Sequence, residues 1–263
     1  MRRLWLTAVA AVTVLGLGGL WRMAVAADPP SAVERLRVKV LRVLPHDRDA
    51  FTQGLVVVDG WLYESTGQHG DSRVRRIDLS TGDVRTEAWL PSDLFGEGIA
   101  PVGDRLVQLT WREQRALLWS LPDLHSQGEL GYQGEGWGLT SDGDRLIMSD
   151  GSDVLTLRDP ETFAPVGRVP VTLRGAPQQS LNELEWARGA VWANVWGSDS
   201  ILRIDLASGK VTGVVDAAGL LDPADREGAD VLNGIAWNPA NGHFLITGKL
   251  WPKLFEVEFV PAD

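Results

Sequence analysis

The chain has 263 residues, with 25 lysines and arginines against 35 aspartates and glutamates, and it has no cysteine. The resulting charge of −10 argues against nucleic acid as a partner, and the missing thiols exclude disulfides, thiol nucleophiles and thiolate metal sites. Stability must come from a buried core, for which this length suffices within a single domain.

Met1-Arg2-Arg3, an apolar run from Leu4 to Leu20 and then Ala24-Val25-Ala26 supply the basic, hydrophobic and small-residue regions of an export signal. The competing reading is an uncleaved anchor, since the run is nearly long enough to span a bilayer and Trp21-Arg22 could sit at its interface. Ala24 and Ala26 at the cleavage positions favour removal of residues 1–26 and a periplasmic or secreted protein free of the membrane. Cleavage would leave 22 basic against 35 acidic residues, a charge of −13.

Beyond a proline-containing lead-in, Leu36, Val38, Val40 and Val43 mark residues 35–44 as a strand. A pattern then recurs: a short strand opening near a glycine, a tight turn, a second apolar strand, and a third that often ends in an Asp-Leu-Ser-Thr-Gly-like turn. The copies begin FTQGLVVVDGWLYEST, GEGIAPVGDRLVQLTW, GEGWGLTSDGDRLIMSD, LNELEWARGAVWANVW and LNGIAWNPANGHFLITGK. Gly54, Gly98, Gly138, Glu183 and Gly234 match across them at separations of 44, 40, 45 and 51 residues, the length of a propeller blade. The expected fold is all-β, a five-bladed β-propeller forming one domain over residues 33–261. Because the last copy shows only three strands, residues 35–44 are expected to complete its blade, joining both ends of the chain and removing an exposed edge. Residues 216–230 depart furthest from the repeat and are expected to hold a short helix near Pro223-Ala224-Asp225.

In a propeller the first strand of each blade lines the central channel, so residues at its start gather at one mouth. The five starts carry Gln53, Glu97, Glu135 with Trp137, Asn182 with Glu183, and Asn233. Loops after the second strands bring Glu64, Trp111, Asp150, Asn194 with Trp196, and Lys249 with Trp251 to the same mouth. Glu97 stands between Gly96 and Gly98, which allow tight turning and close approach, and beside Phe95 and Ile99, whose apolar setting would raise its pKa toward that of a general acid/base. The alternative is a turn residue that accepts backbone hydrogen bonds. Trp111, Trp137 and Trp196 lie at strand ends beside polar residues and read as pocket walls, whereas Trp61, Trp89, Trp119 and Trp192 read as packing between blades.

The strings FTQGL, YESTGQHGDSRVRRIDLSTG, LFGEGI, LTW, GWGLTSDG, LNELEW, VWANVW, LNGIAW and TGKLWP occur in this order over residues 45–257. Together they resemble the plant and bacterial glutamine cyclotransferase family. The resemblance implies a five-bladed propeller that converts the N-terminal glutamine of peptides and proteins to pyroglutamate with loss of ammonia, using no cofactor or metal. It also implies that Glu97 is catalytic and that Phe51, Gln53, Trp111, Trp137, Asn182, Trp196 and Lys249 bind substrate. Animal enzymes of that activity are unrelated zinc proteins, whose metal chemistry does not transfer. A monomer is expected.

Other signals carry less. His46, His69, His125 and His243 lack ligand spacing, and GEGWG opens a strand rather than a helix, unlike a dinucleotide fingerprint. Asp142 with Asp144 and Asp150 with Asp153 read as turns rather than calcium ligands. Two rival functions remain. One is a metal-dependent propeller hydrolase or lactonase with Glu97, Asn182 or Asn194, and Asp150 around a divalent ion, which chelator sensitivity would reveal. The other is a non-catalytic periplasmic propeller that binds peptides or proteins, which would not turn over a glutamine-initiated peptide. Which of Gln53, Asn182 and Lys249 would face an oxyanion is left open.

Overall fold

Short apolar strands broken by glycine and aspartate turns must find hydrogen-bond partners sideways, and the computed structural model of the chain is built almost wholly from such pairings. It describes residues 33–262, so the expected export segment lies outside the described residues. After β1 (Glu34–Pro45), the strands β2 (Thr52–Val58), β3 (Trp61–Thr66), β4 (Arg73–Asp78) and β5 (Val84–Trp89) form an antiparallel sheet in that order. A second sheet repeats the plan with β6 (Gly96–Val102), β7 (Arg105–Thr110), β8 (Arg115–Ser120) and β9 (Ser126–Gly131). A third uses β10 (Leu139–Ser141), β11 (Leu146–Met148), β12 (Val154–Arg158) and β13 (Pro165–Pro170).

A small hairpin, β14 (Thr172–Leu173) and β15 (Ala176–Pro177), leads to β16 (Leu181–Ala187), β17 (Ala190–Val195), β18 (Ser200–Asp205) and β19 (Lys210–Asp216). The chain ends with β20 (Leu232–Asn238), β21 (His243–Gly248) and β22 (Lys253–Pro261). These last two meanders fuse into one sheet of order β16-β17-β18-β19-β1-β22-β21-β20. The N-terminal strand covers the outer edge of β22, antiparallel with Val43 opposite Phe255, as expected. It also pairs parallel to β19, Glu34 opposite Gly213, a contact that a repeat pattern read along the chain does not contain.

Side-chain burial falls from the inner strand of each sheet outward: β2 is nearly sealed, while β5 exposes alternate residues. Five apolar clusters among the described residues join consecutive strand groups. Val56 and Tyr63 meet Leu106 and Trp119, Leu109 meets Leu146, and Leu155 meets Val191. Trp192 then meets Phe244, and Leu245 returns to Leu62 in the first sheet. At their centre the inner strands pack backbone to backbone. A Cβ on Gly98 would come within 2.8 Å of the Gly138 main chain, and one on Gly138 would collide with the Asn182 carbonyl, so side chains are excluded at both positions.

Aspartates fix the outer links where the repeats predict turns. Asp78, Asp159 and Asp205 accept backbone N–H bonds from Ser80, Thr162 and Ser208 at 2.9, 2.8 and 2.8 Å. Asp142 likewise caps its own turn through the N–H groups of Asp144 and Arg145. The long departure after β19 contains a single 3-10 turn, η1 (Pro223–Asp225), capped by Asp222. Trp119 and Trp192 are core residues as expected, but Trp89 is half exposed, with the Arg73 guanidinium 4.7 Å above it. It lies on β5, whose outer face meets solvent rather than another sheet.

Candidate active site

The inner strands open alike. Register slips at Thr52/Gly54 on β2, Gly96/Ile99 on β6, Leu181/Leu184 on β16 and Leu232/Ile235 on β20 each insert a bulge. A bulge re-aims the extra side chain out of the alternating pattern, and the residues so placed are Gln53, Glu97, Asn182 and Asn233. Three of them, Gln53, Glu97 and Asn182, reach a cavity of about 500 Å³. Phe51, Trp111, Trp137, Trp196 and Lys249 close its walls, so every site residue expected from the sequence lines one cavity. Two more line it that sequence reasoning did not select, Gln68 and Phe95. Phe95 directly precedes the Gly96-Glu97-Gly98 stretch, and Gln68 belongs to the loop after β3, two residues beyond the strand that carries Glu64.

Glu97 is 4% exposed, and Gln53 Nε2 donates to its Oε1 at 3.0 Å. Burial lifts its carboxyl well above the ordinary range; the charge of Lys249 pulls it back, while Glu113 and Glu135 add to the lift. Lys249 is buried as well, its ammonium 4.7 Å over the Phe51 ring and in no ion pair among the described residues. Burial lowers its pKa, against the opposing pull of Glu97 and Asp230. The cavity therefore holds an acid and a base, each with its charged form weakened. The loop carrying Lys249 is tied to the chain before β2 by the Leu250 N–H, which donates to the Ala50 carbonyl at 2.7 Å.

The indole walls are braced from behind. Glu135 Oε2 accepts the N–H of Trp111 at 2.9 Å and of Trp137 at 3.1 Å, while Arg112 Nε donates to Glu135 Oε1 at 3.0 Å and its guanidinium lies 3.8 Å over Trp111. Those donors hold the Glu135 carboxyl low despite its partial burial. Trp137 packs against Gly151, where a Cβ would come within 2.7 Å of the ring, and meets Trp196 edge-on at 6.2 Å. Trp196 forms the rim and is 54% exposed.

Other residues expected at this mouth are engaged elsewhere. Glu64 is sealed in a cluster with His46, Arg75 and Thr52, and Trp251 joins the core with its indole bonded to the Asp230 carbonyl. Glu183 replaces the repeat glycine and spans the channel, accepting the N–H groups of Leu55 and Ile235. Burial and then Glu185 raise its pKa well above normal. Asn194 accepts the Gly234 N–H, and Asp150 is exposed and bonded to Ser152, so neither joins Glu97 in a metal-ligand set. The site that results can shift one proton on a small polar group while aromatic walls exclude water.

A family model described as Glutamine cyclotransferase matches residues 11–259. A curated glutaminyl-peptide cyclotransferase of Arabidopsis thaliana is 40% identical over 232 residues, which is 86% of this chain and 72% of that protein. The crystal structure of Myxococcus xanthus glutaminyl cyclase matches with a TM-score of 0.82 at 42% identity, over 88% of this chain and 99% of the other.

Proposed function

The chain belongs to the glutamine cyclotransferase family, and from that premise we propose that it closes the N-terminal glutamine of peptides and proteins into pyroglutamate and releases ammonia. The observation that carries the reading is Glu97: a buried carboxyl in an aromatic cavity, held among the described residues by one neutral amide and paired with no cation. We further read the described strands as one five-bladed β-propeller over residues 33–261. The cyclic order of the apolar clusters supports that count.

The reaction joins two groups of a single residue. The α-amine attacks the side-chain amide carbon, an oxyanion forms, and the C–N bond to the departing nitrogen breaks. Proximity is built into the substrate once its side chain folds back, and the tryptophan walls would hold it so. Glu97 as carboxylate takes the amine proton, and as carboxylic acid it passes that proton to the leaving nitrogen as ammonia departs. A lifted pKa suits both tasks near neutral pH. Gln53 has its amide engaged at both ends, by Glu97 and Asn233. The oxyanion therefore falls to Lys249 and Asn182, whose side chains have no hydrogen-bond partner among the described residues.

The signal read in residues 1–26 makes the protein periplasmic or secreted, and it acts as a monomer; cell fractionation and sedimentation test these two points. Activity is tested by ammonia release from a small panel of peptides. A free N-terminal glutamine should react, with broad tolerance for the next residue, while N-acetylated and internal glutamines should be inert. No ammonia from the free peptide rejects the reading, and steady release from the acetylated one points to an amidase instead.

A further inference from the structure

Two interchangeable oxygens are not equivalent once a donor faces one of them, and Glu97 must use a single oxygen to take and return its proton. We propose that Asn233, which does not line the cavity, is a positioning residue that assigns this duty to Glu97 Oε2. The inference rests on the cyclotransferase reading and adds to it a residue outside the substrate's reach.

One atom at this junction can only accept. Side-chain amide oxygen and nitrogen are assigned from their partners, and the Thr52 backbone carbonyl has no proton to give. Asn233 Nδ2 lies 3.0 Å from that carbonyl, so this corner of Asn233 is its NH2; the reverse would set two oxygens against each other. The same Nδ2 lies 3.2 Å from the Gln53 side chain, so the Gln53 atom there is Oε1. Its other corner is then the NH2, 3.0 Å from Glu97 Oε1. Glu97 Oε1 must accept in both protonation states, and the travelling proton is confined to Oε2.

Asn233 is held for this purpose. It is fully buried, the bulge at the start of β20 aims it into the channel, and Gly234 at φ +115° lets β20 approach Leu55 and Thr52 of β2. Its Oδ1 has no partner among the described residues, which leaves Thr52 to decide its orientation. An N–H aimed at Glu97 also favours the carboxylate and opposes the effect of burial. The charged or titratable groups around Glu97 are Lys249, Glu113, Glu135 and Tyr132, and no substitution at Asn233 removes any of them.

With Asn233 truncated, Gln53 is free to turn its carbonyl toward a protonated Glu97. Asn233→Ala should therefore move the acid limb of kcat for ammonia release upward by about one pH unit, and lower kcat at neutral pH by about tenfold with KM little changed. Asn233→Leu keeps about the same side-chain volume, adds no charge and likewise frees Gln53, so it carries the test if the alanine variant does not fold. Both substitutions are repeated in a Gln53→Met background, where neither should move the acid limb further. An unshifted limb in the folded variants, or an equal shift without Gln53, overturns the proposal. Wild-type ammonia release judges the cyclotransferase reading separately.

Discussion

Glu64 on β3 and Glu97 on β6 are both buried, yet their pKa values shift in opposite directions. Burial pushes both upward. At Glu64 that push is overcome: Arg75 Nη2 donates to Oε2 at 2.5 Å, and Thr52 Oγ1 and His46 Nε2 donate to Oε1 at 2.7 and 2.9 Å. His46 turns its other ring nitrogen to the Trp251 carbonyl at 2.7 Å, so both nitrogens face acceptors and the doubly protonated imidazole is favoured. Although burial works against that charge, Glu64 holds its pKa above normal. Among the described residues the Glu97 carboxyl has only the Gln53 amide, and Lys249 acts on it without contact. Donors, not depth, separate a fixed charge from a movable proton. The fixed cluster also braces the cavity around Glu97, since it grips Trp251 beside Lys249 and Leu250 and Thr52 beside Gln53.

The largest effect should come from removing the movable proton. Glu97→Gln is expected to keep the fold and lower kcat by roughly 10²–10⁴-fold, the range for a general acid/base. Near-normal turnover in a folded variant would erase the contrast between the two glutamates. The same variant should be more stable than the parent at neutral pH. An acid whose folded pKa is raised contributes stability that is fully present below its unfolded value, about 4.3, and lost as pH rises through the folded one. The gain in melting temperature should therefore grow from pH 5 to pH 8.

Glu64→Gln should do the reverse. It removes the carboxylate that Arg75 and His46 share, leaving Arg75 to Asp47 and His46 to the Trp251 carbonyl, at a cost of about 3 kcal/mol in denaturant unfolding, while turnover per folded molecule is largely kept. A smaller signature is the pH dependence of unfolding. Glu64, with its pKa depressed, contributes stability that is present above its unfolded value and lost as pH falls through the folded one. His46, with its pKa raised, contributes stability present below about 6.5 and lost as pH rises through its folded value. Stability should thus decline on the alkaline side, and His46→Gln should flatten that slope.

The walls sharpen the contrast least. Trp196→Ala removes a half-exposed rim residue, so KM should rise by less than tenfold, about 1 kcal/mol, with little change in melting temperature. By admitting water near Glu97 it should also lower the acid limb of the pH–rate profile. A large loss of stability instead would make Trp196 a packing residue.

Local patterning made much of this legible. Strand pairs recur at blade length, Asp-to-Gly turns close them, and the bulged strand starts supply Gln53, Glu97 and Asn182. Each of these is written within a few neighbouring residues, because side-chain alternation and turn chemistry are short-range. Partnerships across the ring were not legible. Gln53 meets Glu97 from 44 residues away, Leu55 meets Glu183 from 128, and Gln53 meets Asn233 from 180. Sequence placed Glu64, Glu183 and Asn233 at the same mouth as Glu97, and it had no means of counting the donors each would find there. It also missed Gln68, the pairing of β1 with β19 and the exposed face of Trp89. Residue types and spacing determined which polar groups reach the channel; only tertiary packing decided which are neutralised and which stay free to react, because a buried group's charge is set by its contacts in space.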